Sequence, residues 1–113
     1  MRSLGLVSAL LSASFAFTTS AADAPAAGKP VFDRWCAGCH APGHGHPGTQ
    51  QLGLTRGAKL AVLEQRSDLS LEYIRYVVRN GLNAMPPYRP SELPDAALEQ
   101  ISTYLAPPRK NRR

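Results

Sequence analysis

The chain has 113 residues, 13 Lys+Arg against 8 Asp+Glu, and a formal charge of +5. That length admits one small domain and excludes barrel and doubly wound enzymes, which need roughly 200 residues or more. The 43% hydrophobic fraction excludes wholesale disorder, and ten Pro with nine Gly require many irregular loops.

The N-terminus reads as an export signal. Arg2 supplies positive charge, Leu4 to Phe17 is apolar or small, and Ser20-Ala21-Ala22 offers small residues for cleavage. Residues 1–22 are therefore expected to leave. The apolar run is shorter than the ~20 residues that span a bilayer, so no membrane span is expected. Residues 23–28 read as a flexible lead-in, 29–106 as the domain, and 107–113 as a basic tail.

Within the domain the pattern is helical. A first helix is expected from about Pro30 to Cys36, with Gly28, Phe32 and Cys36 on one face. A second is expected over 58–66, where Leu60, Val62 and Leu63 point inward. A third spans Leu71 to Asn80, capped by Ser70 or Asp68 and stopped by Gly81. A fourth runs from about Pro94 to Leu105, with Leu98, Ile101 and Leu105 inward. Segments 41–57 and 82–93 read as loops, and no useful strand alternation appears. The expected fold class is all-α. A core this small calls for a staple, such as a disulfide, a metal or a large cofactor.

Cys36-Ala37-Gly38-Cys39-His40 is C-x-x-C-H. Two thiols at this spacing can add to the vinyl groups of a haem, and the next residue then lies under the iron. A thioredoxin-like pair wants a preceding strand, which is missing. A disulfide here would close too small a loop to stabilise much. Zinc wants four ligands, usually in two pairs. Haem c attachment through Cys36 and Cys39, with His40 as an axial ligand, is the favoured reading.

The second axial ligand must approach from the opposite face. His44 and His46 follow His40 too closely and are expected to be ordinary loop histidines. Met85 sits in a proline-stiffened loop, Asn83-Ala84-Met85-Pro86-Pro87, and is the expected ligand. A six-coordinate iron leaves no open site, which points to electron transfer. Gly43-His44-Gly45-His46-Pro47-Gly48 matches a dinucleotide-binding pattern but follows no strand, and is rejected. Pro47 C=O is a candidate acceptor for the second N–H of His40. Arg56, Arg66, Arg75 and Arg79 are candidate propionate donors, with Arg66 and Arg79 preferred. Trp35 is a candidate for the surface near the haem edge.

At these residues the chain resembles class I cytochromes c. Gly28 and Phe32 before the haem motif, and Tyr104-Leu105 in the last helix, match that family's crossing of first and last helices. Tyr73 to Pro86, with Ser91-Glu92-Leu93, is similar to the small cytochrome subunit of p-cresol methylhydroxylase-type flavocytochromes. The resemblance implies helices packed around one covalent haem c. It also implies a non-enzymatic, periplasmic electron carrier of a Gram-negative bacterium. That carrier would accept electrons from a flavoprotein dehydrogenase of the vanillyl-alcohol-oxidase type, acting on 4-alkylphenols, and pass them to a downstream acceptor. The alternative is a free diffusible cytochrome c between a periplasmic dehydrogenase and a terminal oxidase.

The charge then takes a different meaning. Without residues 1–22 the chain keeps twelve basic and eight acidic residues, and four of the twelve are Arg109, Lys110, Arg112 and Arg113. The body is neutral, so a nucleic-acid-binding face is not expected. The tail reads as an arm that steers docking onto an acidic partner.

Overall fold

The computed structural model describes residues 24–107. The expected export signal, and the tail from residue 108 onward, lie outside the described residues. Five α-helices form: α1 (Ala24–Trp35), α2 (Ala37–His40), α3 (Pro47–Arg56), α4 (Leu71–Asn80) and α5 (Asp95–Leu105). Two single 3-10 turns, Ala58–Leu60 and Leu63–Gln65, connect α3 to α4. The described residues contain no strand, and the all-α expectation holds.

Helix α1 begins at Ala24, six residues before the expected start, so the supposed flexible lead-in is helical from Ala24. The reason lies at Gly28. A Cβ there would sit 2.2 Å from Gln100 O and 2.4 Å from Tyr104 Cβ, so the backbones of α1 and α5 meet at this point. That close approach rewards an extra turn of α1 ahead of Pro30. Pro30 is interior to the helix and exposed, and it removes only one backbone donor there. One turn on, the rings of Phe32 and Tyr104 lie 5.8 Å apart at 53°.

Phe32, Ile74, Val78, Leu93, Leu98, Ile101 and Leu105 are the buried apolar core. They come from α1, α4, α5 and the segment before α5. Helix α4 forms as expected. Ser70 Oγ accepts from Tyr73 N at 3.1 Å, whereas Asp68 is engaged by Arg66. Gly81, at φ 76°, ends the helix by donating its N–H to Val77 O. Ser102 is fully buried in α5.

Two expectations fail between α2 and α4. The expected loop 41–57 contains α3, and the expected helix 58–66 is two 3-10 turns broken at Val62, whose backbone is extended. Pro47 opens α3 at the one helical turn where its missing N–H costs nothing. The 58–66 segment is too short to hold a helix by itself. It is shaped instead by contacts to the α1–α5 crossing: Glu64 accepts from Tyr104 Oη and lies 3.7 Å from Lys29 Nζ.

The Tyr104 phenol is pushed up from its ordinary value near 10 to about 12, first by burial and then by the Glu64 carboxylate it donates to. The folded state thus keeps a proton that the unfolded chain releases at lower pH. Its contribution is complete below pH 10 and is lost as pH rises towards about 12. Thermal melts of Tyr104→Phe should therefore decline less steeply than wild type across that window. Parallel declines would exclude Tyr104 as a source of alkaline instability.

Candidate haem site

A cavity of about 650 Å³ lies between α2 and the start of α3 on one side and the loop after α4 on the other. Cys36, Cys39 and His40 line one part of it, and Leu82, Ala84, Met85 and Pro86 another. Trp35, Val78, Tyr88 and Leu93 supply apolar walls. Arg56 is the one charged side chain among the lining residues.

The C-x-x-C-H segment is shaped for ligation. Cys36 caps a single turn, with Cys39 N and His40 N donating to its carbonyl at 3.1 and 2.9 Å. Cys36 is half-buried, Cys39 is exposed, and the two are not joined to each other. Burial, with Cys39 adding to it, pushes the Cys36 thiol up to about 11, so it stays protonated at neutral pH. Burial also lowers the His40 pKa, which favours the neutral imidazole with its lone pair.

His40 Nδ1 is buried and has no hydrogen-bond partner. The expected bond to Pro47 C=O is thus not made. As the first residue of α3, Pro47 has its carbonyl directed along the helix axis, towards the next turn. What packs on the ring is Gly48, where a Cβ would meet His40 Cε1 at 2.7 Å, Cys39 O at 2.8 Å and His40 Nδ1 at 2.9 Å. Two polar contacts hold α3 in this position. Thr49 Oγ1 donates to Ala41 O at 2.8 Å, and His46 Nδ1 lies 3.0 Å from the accepting Gly38 O.

The start of α3 is therefore a lid on the imidazole, and only glycine fits beneath it. Gly48→Ala is expected to destabilise the holoprotein by on the order of 1–3 kcal/mol through overpacking. Gly53→Ala, whose Cβ would meet only Ala61 Cβ at 3.6 Å, should be neutral or mildly stabilising. Equal melting temperatures for the two variants would refute the close packing at Gly48.

Met85 is half-buried on a tight turn. Leu82 N donates to Met85 O at 3.1 Å and Met85 N to Leu82 O at 2.9 Å, while Asn83 takes φ 52°. Asn tolerates that conformation better than most residues. Tyr88 N donates to Val78 O, returning the chain to α4. Trp35 and Tyr88 pack edge to face, 6.3 Å between centroids. His44 is exposed, His46 half-buried, and neither lines the cavity.

The preferred arginines are engaged elsewhere. Arg66 Nε and Nη2 donate to the Asp68 carboxylate at 2.9 and 2.6 Å. Arg79 donates to Tyr88 O and Leu93 O at 2.9 Å each, and to Asp95. Arg75 is bidentate on Glu99. Arg66 and Arg79 therefore do not reach the cavity, and Arg56 does.

These residues fit a haem. Two thiols and a neutral imidazole sit at one wall, a thioether at another, and the remaining surface is mainly apolar. No group of three or more His, Cys, Asp or Glu converges as a metal cage among the described residues. No helix among them is long and apolar enough to cross a membrane.

Residues 23–105 match the family model described as cytochrome C oxidase, cbb3-type, subunit III. The chain is 35% identical over 79 residues to the 4-cresol dehydrogenase [hydroxylating] cytochrome c subunit of Pseudomonas putida, covering 70% of this chain and 58% of that subunit. It is 36% identical over 78 residues to cytochrome c6 of Cyanidioschyzon merolae, covering 69% of this chain and 68% of that protein. It is 34% identical over 84 residues to cytochrome c6 of Leptolyngbya boryana, covering 74% and 91%. No solved structure gives a significant match. The chain belongs to the class I cytochrome c family: it is an electron carrier with one covalently bound haem c, and not itself an enzyme.

Proposed function

We propose that the protein is exported to the periplasm and serves as the electron-accepting subunit of a flavin-dependent dehydrogenase of the 4-alkylphenol type. The observation that carries this reading is the 35% identity to the cytochrome subunit of 4-cresol dehydrogenase. The resemblance runs through the Met85 loop, Asn80-Gly81-Leu82-Asn83-Ala84-Met85-Pro86, of which Leu82 to Pro86 stands at the cavity wall.

In this reading Cys36 and Cys39 hold the haem as thioethers, and His40 and Met85 are its axial ligands. The haem supplies a one-electron Fe(III)/Fe(II) couple. The chain's own part is to keep both ligands in place in either state. The α3 lid fixes His40, the Leu82–Met85 turn presents the thioether, and the apolar walls exclude water. Arg56, at the cavity, takes the propionate role expected of Arg66 and Arg79, as a charged donor with no ion-pair partner in the described structure. The tail 109–113 supplies long-range attraction to an acidic partner.

The cytochrome c6 likeness supports a second reading, a free carrier that docks transiently. Affinity isolation of the chain from its native host separates the two. Co-elution of a flavoprotein in fixed ratio supports the subunit reading. Recovery only as a monomer, with no flavin absorbance, defeats it in favour of the free carrier.

A further inference from the structure

The Arg79 side chain makes three hydrogen bonds, yet it does not line the cavity. Its side chain is 20% exposed. Nη1 donates to two backbone carbonyls, Tyr88 O and Leu93 O, both at 2.9 Å, and Nη2 donates to Asp95 at the first turn of α5. It stands six residues before Met85, on the last turn of α4. Both carbonyls belong to the segment that follows Met85.

Other bonds close the same segment. Tyr88 N donates to Val78 O at 2.8 Å, and Leu93 N and Glu92 N both donate to Arg89 O at 2.9 Å. Leu93, one of the Arg79 acceptors, is 1% exposed and lines the cavity. The segment between Met85 and α5 has no helix or strand to hold it. Two of its carbonyls, Tyr88 O and Leu93 O, turn to Arg79, and a guanidinium is the side chain that can satisfy both while also meeting a carboxylate. Replacing it would leave these carbonyls unpaired, and the segment would gain by opening to water.

We infer that Arg79 is a positioning residue that clamps the loop carrying Met85 shut against α4 and α5, and so controls access of outside ligands to the Met85 side of the haem. The inference rests on Met85 being an axial ligand. It gives Arg79 a role distinct from propionate binding. The two carbonyl bonds carry the effect, and the Asp95 pair, 82% exposed on the carboxylate side, adds little.

The test measures binding of added imidazole to the oxidised holoprotein and of carbon monoxide to the reduced holoprotein. Wild type, Arg79→Gln, Arg79→Lys, Asp95→Asn and Met85→Ala are compared, with thermal midpoints taken in parallel. Arg79→Gln should bind imidazole at least about tenfold more tightly than wild type, the factor equivalent to losing one charge-assisted hydrogen bond to the loop. Arg79→Lys, which keeps the charge but not the fork, should resemble Arg79→Gln, and Asp95→Asn should resemble wild type. Wild-type ligand affinity in both Arg79 variants would overturn the clamp, even if their melting points fall. Should Arg79→Gln not accumulate as holoprotein, Arg79→Lys decides alone. Met85→Ala separates the two failures. If it binds no more ligand than wild type and keeps its spectrum, the Met85 reading has failed. If it opens fully while the Arg79 variants do not, only the clamp has failed.

Discussion

Met85→Ala should abolish the ferric Met–iron absorption band and lower the reduction potential by on the order of 0.2 V, a fraction of the ~0.8 V span that axial ligands command. The sign follows from ligand softness. A thioether favours Fe(II) over Fe(III), so removing it favours the oxidised form. The variant should also bind carbon monoxide rapidly when reduced. The backbone should tolerate the change, since the Leu82–Met85 pairing uses main-chain atoms only. Potentiometry and visible spectroscopy on the holoprotein are sufficient. An unchanged spectrum would mean that another residue ligates, and His44 and His46 do not line the cavity to offer a replacement.

Gly28→Val should be the most destabilising single change away from the cavity. Even the first carbon of a side chain would stand 2.2 Å from Gln100 O and 2.4 Å from Tyr104 Cβ. Both are parts of α5 that cannot swing aside as the end of a flexible side chain could. The helices must separate, and the Phe32–Tyr104 contact goes with them. Overpacking of this kind costs about 3 kcal/mol, against a total stability of roughly 5–15 kcal/mol for a small domain. For a chain of this size that is a fall on the order of 10–20 °C in the thermal midpoint. A midpoint within a few degrees of wild type would show that α1 and α5 do not cross as described.

The haem motif was the most legible part of the sequence, because it depends on a few residues of unmistakable chemistry. C-x-x-C-H at Cys36 to His40 has few competing uses, and Met85 is marked out by the Pro86-Pro87 pair that directly follows it. Helix α4 was equally plain: Ser70, the Leu71, Ile74, Val77 and Val78 stripe, and Gly81 are local signals, and local forces suffice to express them. The segment between α2 and α4 was misread because there the local signals and the tertiary ones disagree. Gly48 and Gly53 disfavour a helix, yet α3 forms because it packs over His40 and is anchored by Thr49 and His46. Ala58 to Arg66 favours a helix, yet it is drawn into 3-10 turns by Glu64, Tyr104 and Lys29. The arginines failed for a related reason. Their count and charge are visible in a sequence, but whether Arg66 meets Asp68 or a propionate depends on where α4 comes to rest. Arg56 was visible as a candidate, and only the fold singles it out.

The crossing of α1 with α5 also bears on the order of events during assembly. Gly28 and Tyr104 lie at nearly opposite ends of the described chain, so their contact closes a very long loop and must await almost the whole polypeptide. Cys36, Cys39 and His40 follow directly on α1 and are complete as a local sequence long before that closure. Covalent attachment at these residues therefore has an open chain to act on. Once made, it gives α4 and α5 an apolar surface on which to collapse. The prosthetic group would then be joined first and enclosed afterwards, so a slow-closing fold becomes an advantage for maturation.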